Sequence, residues 1–143
     1  MSEFTKENGK RRVVVTGGGM LTALGDDWQE AYAKLKAGQS CIKYIKDWDR
    51  FERMNTRLAC PYEKELPKAP RKKVRGMGRV ALLSLEATER ALKMAGLSTA
   101  QYEVVDELHN GRTGIAYGDC MGSLDSILDM VMMLKDNDSS RID

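Results

Sequence analysis

At 143 residues, 42% hydrophobic and 31% charged, the chain has the make-up of one globular domain or of a piece of a larger one. Lys and Arg number 23 against 21 Asp and Glu, and a net charge of +2 argues against a dedicated nucleic-acid binder. The polar opening, residues 1–12, has no secretory core, and no apolar run approaches the about 18 residues of a membrane span. One histidine, His109, and three widely spaced cysteines, Cys41, Cys60 and Cys120, fit neither a disulfide framework nor a metal site. Free thiols in a reducing cytoplasm are the expectation.

Residues 12–16 read Arg-Val-Val-Val-Thr. Three consecutive β-branched side chains predict a strand buried on both faces, as in a parallel sheet. Gly17, Gly18 and Gly19 stop it. Asp26 or Asp27 caps a helix running to about residue 37, with Trp28, Ala31, Tyr32 and Leu35 on one face and Gly38 just past its end. Residues 39–70 form an irregular excursion holding Trp48, Phe51 and Tyr62, with short strands at 41–45 and 57–60.

A long helix is predicted over residues 72–95. Val80, Leu83, Ala87, Ala91 and Met94 make one stripe, and Ala81, Leu85, Thr88, Leu92 and Ala95 the adjoining one, giving a broad buried face. Gly96 and Leu97 fit a glycine-terminated end. Residues 98–108 read as a short helix or capped turn. A second buried strand is predicted at 113–117, then the small-residue turn from Gly118 to Gly122, then a Met-rich helix capped by Ser123 or Asp125 and ending near 134. The organisation is a polar tail (1–11), an incomplete α/β domain (12–134, with its excursion at 39–70) and a polar loop (135–143). Two strands with this much apolar helix surface do not make a complete domain.

The glycine run matches only two of the three glycines of a dinucleotide fingerprint, because Thr22 stands at the third position. Its glycines serve close backbone packing whether or not a phosphate binds. Cys120 lies in a turn between a strand and a helix, with no partner base in reach of the pattern, and reads as a small side chain in a crowded turn. His109 reads as a loop residue. Arg71, Lys72, Lys73, Arg75 and Arg79 put five cations in nine residues at a helix start, where they oppose the helix dipole. Such a cluster points to an external anionic partner.

Four stretches, in order, resemble the N-terminal part of the β-ketoacyl-acyl-carrier-protein synthases: RVVVTGGGMLTALGDDW from Arg12, LKAGQSCI from Leu35, RKKVRGMGRVALLSLEATERALKMAGL from Arg71, and GRTGIAYGDCMGSL from Gly111. The resemblance implies part of the N-terminal half of a thiolase-like α/β/α/β/α fold. It also implies condensation of an acyl thioester with malonyl-acyl-carrier protein, with no cofactor or metal. The family's nucleophilic cysteine and two catalytic histidines would lie past Asp143, so no catalytic residue is expected in this chain and Cys120 is not the nucleophile. Arg71, Lys72 and Arg75 match the basic residues that meet the acidic helix of the carrier. Gly76 stands where relatives often carry another cation, with Lys73 and Arg79 as compensating charges. Met121 occupies the place of the apolar side chain that gates the acyl tunnel. A homodimer is implied for the whole enzyme. Two other readings are a non-catalytic module binding the carrier or a partner chain, and, more distantly, a nucleotide-binding α/β domain.

Overall fold

The computed structural model describes residues 8–140. Expectations for the first seven residues and the last three lie outside the described residues. The element order is α1 (Trp28–Lys36), β1 (Lys43–Tyr44), β2 (Leu58–Ala59), α2 (Arg71–Val74), α3 (Arg79–Met94), β3 (Ser98–Ala100), β4 (Glu103–Val104) and α4 (Leu124–Asp136), with 3-10 turns at Lys46–Arg50 and Asp106–His109.

Local chemistry sets the helix ends. The Asp27 carboxylate caps α1, accepting from the backbone N–H groups of Gln29 and Glu30, which otherwise have no partner in the first turn. At its other end Gly38 takes φ +71°, donating to Leu35 while Gln39 donates to Lys34. The same pair of bonds closes α3: Gly96, at φ +71°, donates to the Lys93 carbonyl and Leu97 to that of Leu92. These are Schellman endings, and glycine is needed because other residues are strained at that φ.

The excursion forms the two short strands expected of it. β1 and β2 pair antiparallel, Lys43 opposite Ala59 and Tyr44 opposite Leu58. Four other expectations need correction. The helix over 72–95 is broken: α2 ends at Val74, Gly76 turns the chain at φ +74°, and α3 starts only at Arg79. Residues 98–104 are not helical but form an antiparallel hairpin, β3 and β4, with Tyr102 in the left-handed region at φ +58°. α4 runs to Asp136, two residues into the expected polar tail, and ends on left-handed Asn137.

The fourth correction concerns residues 12–16 and 113–117, neither of which forms a ladder. Val13 and Val15 are each 92% exposed and Ile115 is 82% exposed. A strand, unlike a helix, needs a neighbour for its backbone hydrogen bonds, and none is supplied among the described residues.

Packing centres on α3, and its most buried positions are acidic. Glu86 and Glu89 are buried, whereas the apolar stripes are only half covered and Met94 is exposed. Ala31, 3% exposed, is the only hydrophobic side chain that is buried among the described residues, and Trp28, Tyr32 and Leu35 of the same helix are exposed. The chain exposes 12055 Å² at a mass of 16.0 kDa. A compact monomer of that mass exposes roughly 7,400 Å².

Glycine lets the run at 17–19 lie directly on α3. A Cβ at Gly17 would stand 2.3 Å from the carbonyl oxygen of Ala91, and one at Gly19 would stand 1.9 Å from that of Ala87. The glycine run is therefore a close backbone approach to a stripe of alanines, Ala87, Ala91 and Ala95, one helical turn apart. That contact accounts for Gly17 and Gly19 without a phosphate. Gly18 faces open space, and its N–H meets the Met94 sulfur at 3.4 Å.

Candidate functional site

The five cations of residues 71–79 all lie exposed, but the fold sorts them. Arg79, at the first turn of α3, donates to the Tyr62 carbonyl at 2.7 Å and so ties the excursion to this helix. Lys73, on α2, forms an ion pair with Glu103 and donates to the Tyr102 carbonyl at 3.3 Å. The Lys73 ammonium, by hydrogen bonding and by its charge, holds the Glu103 carboxyl below the usual carboxylate range. Lys72 and Arg75 form no ion pair or hydrogen bond through their side chains among the described residues. They present their charge to solvent beside Arg71.

This cationic segment leads straight into an apolar cleft. Past the turn at Gly76, Met77 is the first residue lining it, followed on α3 by Val80, Ala81, Ser84 and Leu85. Tyr117, Gly118, Asp119, Gly122 and Ser123 form the opposite wall, and the space between holds about 370 Å³. Two contacts clamp the walls together. The Ser123 hydroxyl accepts from the backbone N–H of Val80 at 2.9 Å, and the Tyr117 hydroxyl hydrogen-bonds that of Thr88. Ser123 thus caps α3 from 43 residues away instead of capping its own helix. Gly78 makes this approach possible, because a Cβ there would lie 2.3 Å from the Ser123 Cβ.

Within the wall, Asp119 accepts from the Gly122 N–H, which shapes the turn around Cys120 and Met121. Met121 lies at the tip, 70% exposed, and is not among the side chains that line the cleft. Cys120 is exposed, as is Cys60, while Cys41 is half-buried, and all three are unpaired. No group of three or more potential metal ligands occurs among the described residues.

A second, larger hollow of about 530 Å³ lies between the glycine run, the start of α1 and the last turns of α3. Asp26, Trp28, Arg90 and Met94 are among its lining. Its charges are spent internally: Arg90 pairs with Glu86 at 2.9 Å and donates to the Asp26 carbonyl at 3.1 Å, and Lys64 pairs with Asp26 at 3.0 Å. The Asp26 pair raises the Lys64 pKa, and burial, with Asp26 nearby, raises that of Tyr62.

The structure therefore brings together the cationic segment and the turn bearing Met121, which the sequence separates by some 45 residues. Sequence reasoning missed the cleft wall itself (Met77, Val80, Leu85, Tyr117, Ser123) and the Glu103 that engages Lys73. The available signal was weak: an apolar Met77 directly after the basic run, and a serine with two possible capping duties.

The model of a family described as the β-ketoacyl synthase N-terminal domain matches residues 10–142. The 3-oxoacyl-[acyl-carrier-protein] synthase 1 of Haemophilus influenzae is 33% identical over 116 residues, covering 79% of this chain and 26% of that protein. The chloroplastic 3-oxoacyl-[acyl-carrier-protein] synthase II of Arabidopsis thaliana is 33% identical over 129 residues, covering 88% of this chain and 23% of that protein. The crystal structure of a β-ketoacyl synthase from Burkholderia phymatum superposes with a TM-score of 0.78 at 39% identity, covering 91% of this chain and 31% of that one. The chain thus spans about a quarter to a third of the length of these relatives. Its backbone follows the thiolase-like α/β trace of the B. phymatum enzyme, so the fold is a partial α/β domain even where residues 12–16 and 113–117 lack ladder bonds.

Proposed function

Since the chain belongs to the β-ketoacyl synthase family, by its N-terminal domain, we propose that it serves a 3-oxoacyl-acyl-carrier-protein synthase, contributing carrier docking and one wall of the acyl site. The reaction is the condensation of an acyl thioester with malonyl-acyl-carrier protein in fatty-acid elongation. The observation that carries the reading is the match over residues 10–142, joined to a cationic segment that opens directly onto an apolar cleft. Arg71, Lys72 and Arg75 meet the acidic surface of the carrier, where cations steer association more than they hold it. Met121, on the turn that borders the cleft, faces the acyl chain once the rest of the synthase is in place. A long unbranched side chain there can yield to the substrate.

The nucleophile and the decarboxylating histidines come from the rest of the synthase, because nucleophilic catalysis needs an activated group with a positioned base. One loop histidine and three unpaired cysteines at scattered sites do not supply that arrangement. The enzyme works in the cytoplasm as a homodimer. Three free thiols suit that compartment, and no helix among the described residues is long and apolar enough to cross a membrane.

Two experiments test the reading. In the synthase carrying this segment, Lys72→Glu with Arg75→Glu should weaken carrier binding at least tenfold at low salt and less at high salt, since exposed charges are screened. Met121→Trp should cut turnover of long acyl primers far more than that of acetyl. Unchanged carrier affinity removes the docking assignment, and equal losses for both primer lengths leave Met121 as packing.

A further inference from the structure

The ion pair on Lys73 has a consequence for the docking surface. Lys73 sits on α2 between Lys72 and Arg75, yet its ammonium is turned back onto the hairpin by Glu103 and by the Tyr102 carbonyl. The hairpin itself is held firmly. Glu89 of α3 is 3% exposed, and its carboxylate accepts from the Ser98 hydroxyl and the Tyr102 N–H, each at 3.1 Å, with Lys93 at 3.1 Å completing the set. A buried carboxylate with this many donors fixes what it touches. Tyr102, in the left-handed region, turns the chain so that its carbonyl and the next side chain, Glu103, both reach Lys73. By contrast α2 is a single turn joined to α3 through Gly76.

We propose that Glu103 is an internal competitor for the cationic docking surface: it occupies Lys73 as an acidic partner would and so sets the affinity of this surface for the carrier. This deepens the docking assignment above and rests on it. Both side chains of the pair are partly exposed, 38% for Lys73 and 56% for Glu103. A pair of that kind is worth no more than about 1 kcal/mol, so a carboxylate of the partner can displace Glu103 and take its lysine. Removing Glu103 hands Lys73 to the partner without the displacement cost. The expected gain is about two- to fivefold in affinity, which is the range that exposed ion pairs span.

The test is calorimetric titration of the full chain, in the synthase that carries it, with a bacterial acyl carrier protein at low and at high salt. Glu103→Gln should bind two- to fivefold more tightly at low salt, with the gain shrinking at high salt. Lys73→Gln in the native background should change affinity less than twofold, because that lysine is already engaged. The double variant, Glu103→Gln with Lys73→Gln, should return to the native affinity. The proposal is overturned if Glu103→Gln binds no more tightly, or if its gain survives in the double variant, which would reduce the effect to lost overall negative charge. Lys72→Glu with Arg75→Glu separates the two levels of the argument. If that variant binds normally, the docking surface lies elsewhere. If it loses binding while Glu103→Gln has no effect, docking stands and the competition alone fails.

Discussion

Helices α3 and α4 have similar lengths, 16 and 13 residues, and opposite surroundings. α3 is contacted by three segments: the glycine run lies on its alanines, Ser98 and Tyr102 reach its buried Glu89, and Ser123 and Tyr117 clamp it at Val80 and Thr88. α4 carries the more apolar sequence, yet Leu124, Ile127, Leu128, Val131 and Leu134 are all at least half exposed. Even the residue at its N-cap, Ser123, spends its hydroxyl on α3. Hydrophobicity alone therefore does not decide which helix is covered here. α3 is held by close backbone approach and by polar groups that satisfy one another, whereas the apolar face of α4 has no described counterpart.

That contrast can be broken most severely at Gly19. Gly19→Ala forces a Cβ onto the Ala87 carbonyl, where both partners are backbone and neither can yield. We expect a loss of about 3 kcal/mol, the upper part of the overpacking range, read as a lowered urea midpoint of the intact protein. Gly18→Ala, one residue away in open space, should change the midpoint little. Next comes Glu89→Ala, which leaves the Tyr102 N–H without its acceptor and the Ser98 hydroxyl with only the Ala100 carbonyl. A cost of about 1–3 kcal/mol is expected, with accelerated amide exchange at Tyr102. Slow exchange there in the variant would show that the hairpin holds to α3 by other means. Ser123→Ala removes the cap on α3 and should cost about 1 kcal/mol, with the change concentrated at the Val80 amide. The smallest effect belongs to α4: Ile127→Ser or Leu128→Ser, at positions 50% and 61% exposed, should stay within about 0.5 kcal/mol. A loss of 2 kcal/mol in either would mean that this face is covered after all.

The features legible in the sequence were the local ones. Asp27 as a cap and Gly38 and Gly96 as helix endings announce themselves because their partners lie within four residues. The break at Gly76 was hidden because the apolar stripe begins only at Val80, so the pattern is the same whether the helix starts at 72 or at 79. The hairpin at 98–104 was hidden for a different reason. Its turn uses Tyr102 at positive φ where glycine or asparagine would signal it, and its anchor is a glutamate nine residues upstream of Ser98. Residues 12–16 and 113–117 show the converse: strong strand composition without a strand, since pairing is a property of two segments and composition of one. Of the candidate site, the cluster of cations at residues 71–79 was visible in the sequence, whereas Met121 was an expectation from resemblance, and its side chain is not among those that line the cleft. The cleft was not legible, because Met77 and Ser123 meet only through the tertiary contact across Gly78.

The bare valines at 13–15 carry one more consequence, in the test tube and in the cell. Three exposed β-branched residues in extended chain are a template for edge-to-edge growth with further copies, the first step of fibrillar aggregation. Lys10, Arg11 and Arg12 come immediately before them, and Arg112 immediately before the segment from Thr113 to Tyr117. In an in-register stack each of these cations would sit about 4.8 Å from its own image. Each such pair repels by about 0.9 kcal/mol in water. The charges thus act as gatekeepers against self-templating, and their protection fades as salt rises. A preparation of this chain should accordingly remain dispersed longer in dilute buffer than in concentrated salt.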